Sequence, residues 1–228
     1  DLHTAIGEHR EVVLPDGSQL HLNTATRVDV NFNAEQRLIR LLSGEILVTT
    51  APDPAGRSFE NGSFKSDSFE SRPFIVQTDA GRIRALGTRF SVQTLDRNQI
   101  RVSVYEHAVA IQPQQSQTET RLEQGQSGEF DTSRLQSIST QLQEAPAWTR
   151  GQIISDDQRL EDFLTELNRY RPGLLRCDPA VADLRISGVF QLKDTDQVLA
   201  AVTNTLPVRV QQRTRYWITL IPAQVSKS

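Results

Sequence analysis

The chain has no methionine, one cysteine, and no apolar run near the length of about 18 residues that crosses a bilayer. Each absence removes a class of protein. Without an apolar stretch behind a basic start there is no signal peptide or membrane span to read, so the segment is expected to be water-soluble. The missing methionine points to a piece of a longer precursor. A single Cys177 allows no internal disulfide, and its neighbours Leu174, Leu175 and Arg176 make it read as a buried, inert thiol. Four histidines, His3, His9, His21 and His107, are scattered without metal-ligand spacing, and no phosphate loop or Gly-x-Ser-x-Gly elbow occurs. Neither a metal nor a cofactor is implied, and the reading is not an enzyme. Carboxylates are plentiful, yet no pair stands out as glycosidase machinery. A net charge of -3 with both signs intermixed gives no reason to expect nucleic acid or an anionic membrane as partner.

What is present falls into two halves, because the hydrophobic period changes along the 228 residues. From Glu11 to about Phe130 the period is two. "VVLPDGSQLHLN" reads as strand, turn, strand around Pro15-Asp16-Gly17. "RVDVNF", "GEILVTT", "PFIVQT", "IRVSV" and "AVAI" alternate in the same way. Many short strands with Gly, Asp, Asn and Pro between them predict an all-β sandwich or β-roll. Phe59, Phe64 and Phe69 recur every five residues in a Ser- and Gly-rich segment, a spacing of neither helix nor strand, and predict a mobile loop.

Beyond Trp148 the pattern turns helical. Ser155 with Gln158 has the spacing of a capping box ahead of Leu160, Phe163, Leu164, Leu167 and Tyr170, and Pro172-Gly173 ends the run. Asp194 with Gln197 can cap a second helix carrying Val198, Leu199, Val202 and Leu206. With "QII", "LLRC", "RISGVF", "VRVQQ" and "YWITLI" as strands, the expected order is β-α-β-β-α-β-β, a small α+β module. The domains are set at 1–143 and 144–228, with the junction in the polar stretch ending at Pro146.

The stretch "IRALGTRFSV" poses a local question. Its apolar positions are odd before the Gly87-Thr88 pair (Ile83, Ala85) and even after it (Phe90, Val92). Side chains of a strand alternate faces, so a parity change calls for an extra residue, and a β-bulge at Gly87 is the expected answer. A second reading is chemical: the Thr88 hydroxyl could attack the Gly87 carbonyl, making Gly87 and Thr88 a candidate self-cleavage site.

"VVLPDGSQLHLN", "RLIRLLSGEILVTT", "RPFIVQTDAGRIRALGTRFSV", "VSVYEHAVAI" and "LEQGQSGEF" together resemble, in that order, the periplasmic region of FecR/PupR-type sigma-factor regulators. The second half resembles the secretin/TonB short N-terminal (STN) module of such regulators. The resemblance implies a periplasmic region of an inner-membrane protein from a Gram-negative bacterium. Its implied partners are the N-terminal signalling domain of a TonB-dependent siderophore transporter and, through a cytoplasmic segment outside this chain, an extracytoplasmic-function sigma factor. In some members the pair matching Gly87 and Thr88 is cut by the acyl shift above. Two departures are visible: Glu106-His107 stands where the family tends to have Glu-Gly, and the segment around Phe64 is longer.

A partner could add as a strand to a free sheet edge of the second module. The candidates are Arg185, Ile186, Val189 and Phe190 of "RISGVF", and Tyr216, Trp217, Ile218 and Thr219 of "RYWITLI", with Trp217 as a possible anchor. The alternatives are a carbohydrate-binding β-sandwich, disfavoured because Trp148 and Trp217 both fall outside the β half, and a structural envelope protein.

Overall fold

The computed structural model describes residues 1–228 except 55–57, 61–62, 66–70, 97, 141–144, 215 and 224–228. The chain divides into two compact units, one of Asp1–Ala5 with His9–Pro146, the other of Ile6–Glu8 with Ala147–Ser228. The junction expected near Glu144 falls at residues outside the described set.

The first unit is the expected sandwich. One seven-stranded sheet runs β1 (Leu2–His3), β4 (Arg27–Phe32), β5 (Arg37–Ser43), β9 (Phe74–Gln77), β10 (Gly81–Ala85), β13 (Ala108–Pro113) and β14 (Thr120–Glu123). The other runs β16 (Leu135–Thr140), β15 (Gln126–Phe130), β12 (Gln99–Glu106), β11 (Arg89–Asp96), β6 (Glu45–Thr49), β3 (Gln19–Leu22) and β2 (Arg10–Val13). Alternation puts Val28, Ile39, Phe74, Val76, Ile83 and Ile111 from the first sheet into one core with Leu20, Leu22, Ile46, Phe90, Val92 and Phe130 from the second. Fully burying each such side chain stabilises by about 1.5–3 kcal/mol. The hairpin forms as read, Val12 facing Leu20 across the turn. One expectation is corrected. Ser58–Glu60 (β7) and Ser63–Lys65 (β8) pair as a short antiparallel hairpin with Phe59 opposite Phe64, where a loop was expected, and Phe69 lies outside the described residues.

The change of parity around Gly87 has a different cause from the expected bulge. β10 and β11 belong to different sheets, so residues 86–88 carry the chain from one layer to the other, and parity changes because the core lies on the opposite side of the new sheet. The same passage recurs at Gly44, His107 and Gly125, between β5 and β6, β12 and β13, and β14 and β15. All four corners hold a residue with positive φ, from +57° at His107 to +92° at Gly44. Gly87, at φ +78°, takes this conformation without the Cβ conflict any other residue would meet. The ladder does contain a bulge nearby, but on the partner strand: Arg89 faces Glu106 and Phe90 faces Val104, leaving Tyr105 as the extra residue.

The second unit follows the expected order. β17 (Gln152–Arg159) leads into α1 (Leu160–Asn168), β18 (Leu174–Cys177), β19 (Arg185–Gln191), α2 (Thr195–Thr205), β20 (Val208–Thr214) and β21 (Trp217–Pro222). α1 buries Leu160, Phe163, Leu164 and Leu167, and α2 buries Val198, Leu199 and Val202, as the period of the sequence requires. Asp194 caps α2, accepting from the N–H groups of Asp196 and Gln197. Ser155 and Gln158 do not cap α1, because both lie in β17. Their side chains bond to each other at 2.7 Å across a bulge whose inserted residue, Asp157, has φ +47°. The start of α1 is satisfied from elsewhere, Leu160 N–H donating to Leu184 O and Glu161 N–H to Ala182 O.

Candidate functional site

The corner at 86–88 is built from both sheets. Leu86 N–H donates to Ala108 O at 3.2 Å, beside the His107 corner, and Thr88 N–H donates to Thr50 Oγ1 at 2.9 Å. Thr50 in turn donates its N–H to Thr88 O at 3.0 Å, and its hydroxyl also lies 3.2 Å from that carbonyl. The Thr88 side chain is buried, and its hydroxyl has no hydrogen-bond partner. For acyl transfer that hydroxyl is the nucleophile, yet among the described residues no base is bonded to it.

A cleft of about 450 Å³ opens beside this corner, walled by Arg37, Thr50, Asp53, Arg72, Arg84 and Gly87 among others. Its charges are mutually neutralised. Arg37 donates to Asp16 Oδ2 and to Ala51 O, both at 2.9 Å, and through Nε to Arg72 O at 3.1 Å. Arg72 forks onto both oxygens of Asp53 at 2.7 and 3.1 Å, and Arg84 meets Glu119 at 2.8 Å. The cluster ties the β2–β3 turn to the strands around it. No group of His, Cys, Asp and Glu able to hold a metal occurs among the described residues.

In the second unit, β19 pairs with β17 and has no other neighbour among the described strands. Of its four candidate residues, Ile186 is buried and Phe190 packs on Phe163 with ring centroids 4.7 Å apart, so both serve the core. Val189 is exposed and faces Ile154, also exposed, across the ladder. Arg185 donates to Asp157 O at 2.8 Å.

The other candidate strand needs a correction. β21 is the middle of a three-stranded sheet, with β18 parallel on one side and β20 antiparallel on the other, and therefore has no free edge. A chain that ends on a strand commonly ends on an edge, but here the parallel β18 occupies the far side of β21. The outer strands are β18 and β20, and of the two β20 is exposed along its whole length after Val208. Polar residues on both faces of "VRVQQRT" are the signal that could have identified it. On β21 itself, Ile218 is buried, Thr219 is half-buried, and Trp217 is 36% exposed beneath the guanidiniums of Arg176 and Arg213, at 5.2 and 5.5 Å from its ring centroid. Tyr216 precedes the strand and is exposed. The two candidate sets thus lie on different sheets. Cys177 is half-buried, and burial pushes its thiol pKa up, away from reactivity.

Residues 1–110 match the family model described as FecR protein. These residues are a FecR-family region. Across its length the chain is also similar to two crystal structures, at 2.50 and 1.65 Å resolution, of a candidate anti-sigma factor from Parabacteroides distasonis. Identity is 24% in both, with a TM-score of 0.71; the alignments cover 97% and 96% of this chain and 97% of each of the others. The likeness extends beyond the FecR region to include the α+β unit, so the two-unit architecture is shared. No curated protein matches the sequence. Among the described residues no helix is long and apolar enough to cross a membrane.

Proposed function

We propose that this chain is the signal-receiving region of a sigma-factor regulator. The carrying observation is the FecR-family sandwich joined to an α+β unit in an architecture shared with a candidate anti-sigma factor. In this reading the chain works in the periplasm, on a regulator anchored in the inner membrane. Its α+β unit docks the N-terminal signalling domain of a TonB-dependent siderophore transporter, and the regulator relays that event to an extracytoplasmic-function sigma factor through a cytoplasmic segment. Exposed Arg185 and Val189 on β19, and Tyr216, Trp217 and Thr219 at β21, are the candidate contacts; Ile186, Phe190 and Ile218 support them from the core. Free strand edges supply the backbone groups that such docking uses. The sandwich has no exposed tryptophan on which a sugar could stack, which weighs against the carbohydrate-binding alternative.

Docking in this reading does not require scission at Gly87–Thr88. The step would join Thr88 Oγ to the Gly87 carbonyl carbon and break the amide C–N bond, with the hydroxyl proton passing to the Thr88 nitrogen. Water would then open the ester, leaving a Gly87 carboxylate and restoring the Thr88 hydroxyl. The reaction needs a base on the hydroxyl, and the described residues hold none there. The folded chain is expected to remain whole.

Titration of the chain with purified signalling domains from TonB-dependent transporters of the same organism tests the docking. Saturable binding of at least one domain is expected. Binding of none of them would overturn the reading.

A further inference from the structure

The three-stranded sheet of the second unit turns a cationic face outward. Its register puts Leu175, Ile218, Leu220 and Val208 on the buried side, which leaves Leu174 and Arg176, Trp217 and Thr219, and Arg209 and Gln211 on the other. None of the residues in the three strands is acidic. Arg176, Arg209 and Arg213 are exposed, and no ion pair reaches them among the described residues. Arg159, Arg171 and Arg185 of this unit, by contrast, are paired with Asp183, Asp196 and Asp157. A chain of net charge -3 has therefore gathered uncompensated positive charge on one sheet.

Trp217 gives that charge a fixed position. With the guanidinium carbons of Arg176 and Arg213 at 5.2 and 5.5 Å from its ring centroid, the indole holds both side chains by cation–π attraction and leaves their N–H donors available. Arginine and tryptophan set together on a partly exposed surface are the residue types that dominate binding energy at interfaces. Beside them runs the free edge of β20. An added strand would bring alternate side chains to the two faces, one set beside Arg209 and Arg213, the other beside Val210, which is 39% exposed. The matching sequence alternates carboxylate and aliphatic residues.

We propose that this face binds an extended acidic segment of a partner protein, which adds as a strand along β20 and sets its carboxylates against Arg209, Arg213 and Arg176. The proposal rests on the reading that the α+β unit is the docking element, and it places the contact on the β20 and Trp217 side, away from β19.

The test uses the whole chain and its Arg209→Glu/Arg213→Glu variant, with circular dichroism to confirm that the variant folds. The first probe is the acetylated peptide Glu-Val-Glu-Val-Glu-Val-Glu, followed through tryptophan fluorescence. Trp148 is buried, so a change on binding reports Trp217. Saturable binding is expected, weakening as salt rises from about 0.05 to 0.3 M. The variant should lose about tenfold or more in affinity, and the Lys-Val counterpart should not bind. Lack of binding by the acidic peptide, or equal binding by the variant, overturns the proposal. So does a face that adsorbs phosphatidylglycerol vesicles but no peptide. The same pair titrated with transporter signalling domains separates the two readings. A domain that binds wild type and variant equally overturns the assignment of this face and leaves the docking reading standing. Peptide binding with no response to any domain upholds the face and overturns the transporter as its partner.

Discussion

Thr50 and Thr88 hold each other across the two central strands that follow corners of the sandwich. Thr50 Oγ1 accepts the Thr88 N–H at 2.9 Å and its hydroxyl lies 3.2 Å from the Thr88 carbonyl, while the Thr88 hydroxyl itself is buried without a partner. The two hydroxyls should therefore respond oppositely to removal. Thr50→Val strands the Thr88 N–H and is expected to cost about 1–2 kcal/mol. Thr88→Val exchanges an unsatisfied buried hydroxyl for a methyl group and should be neutral or stabilising by up to about 1 kcal/mol. Urea unfolding followed by far-ultraviolet circular dichroism checks both. A Thr88→Val variant that loses more than Thr50→Val would contradict this account of the corner.

Intact mass spectrometry under denaturing conditions addresses the same corner chemically. With no base bonded to the Thr88 hydroxyl, wild type and Thr88→Ala should each give one uncut mass. Two fragments meeting between Gly87 and Thr88 in the wild type, and absent from Thr88→Ala, would show that a base reaches the hydroxyl in solution.

Arg37 carries a larger share of the first unit's stability. Its guanidinium is nearly removed from solvent, faces an equally buried Asp16 carboxylate, bonds two carbonyl oxygens and lies 5.4 Å from the Phe74 ring centroid. Arg37→Ala leaves Asp16 charged and without its cation, and should cost about 3–5 kcal/mol. Arg37→Met with Asp16→Asn removes both charges and should recover part of that loss. No recovery in the double variant would mean that the packing of Arg37, and not its charge, matters.

The legibility of the fold follows from where the information resides. Period-two and period-3.6 patterns are local, so the strands, both helices and their order could be read along the chain. Neighbour relations in space are not local. "IRALGTRFSV" showed its parity change, but whether the cause was a bulge or a passage between layers depended on β10 and β11 joining different sheets. Ser155 and Gln158 matched a capping box in spacing, yet the tertiary carbonyls of Leu184 and Ala182 satisfied the helix start, and the pair was left to close a strand bulge. Trp217 could be picked out as unusual, but the two arginines over it come from different strands, one about 40 residues earlier in the chain. The free edge of β20 was missed because sequence order makes β21 look terminal, while the parallel pairing with β18 makes it central.

His9 should give the first unit a pH dependence. Although the residue is exposed, partial desolvation of its imidazole lowers its pKa from the ordinary value of 6.5, against opposing contributions from an Asn23 hydrogen bond and the Glu45 charge. The folded state thus binds this proton more weakly than the unfolded chain does. Stability from this group is complete above the unfolded pKa of 6.5 and falls as pH drops from there toward the lower folded value. Unfolding at pH 7.5 and 5.5 should show the first unit weaker at the lower pH, and His9→Gln should flatten that difference. A His9 proton titrating above 6.5 by NMR would reverse the sign and defeat the prediction.

Adjacent residues on β21 should separate stability from recognition. Ile218 is 6% exposed and Trp217 is 36% exposed, on opposite faces of one strand. Ile218→Ala opens a cavity beneath the sheet and should cost about 2–5 kcal/mol. Trp217→Ala removes a half-covered ring and two cation–π contacts of about 0.5–1 kcal/mol each, so its cost should stay well below that of Ile218→Ala. Both tryptophans lie in the second unit, and Trp148 remains to report its unfolding when Trp217 is replaced. Binding should rank the other way. Trp217→Ala frees Arg176 and Arg213 from their common support and should abolish capture of the acidic peptide, followed here by isothermal titration calorimetry because the variant lacks the fluorescent reporter, in a chain that still folds. Ile218→Ala, measured under conditions where the unit stays folded, should keep it. If the two variants lost binding in proportion to their loss of stability, Trp217 would be a packing residue and the cationic face would have no role of its own.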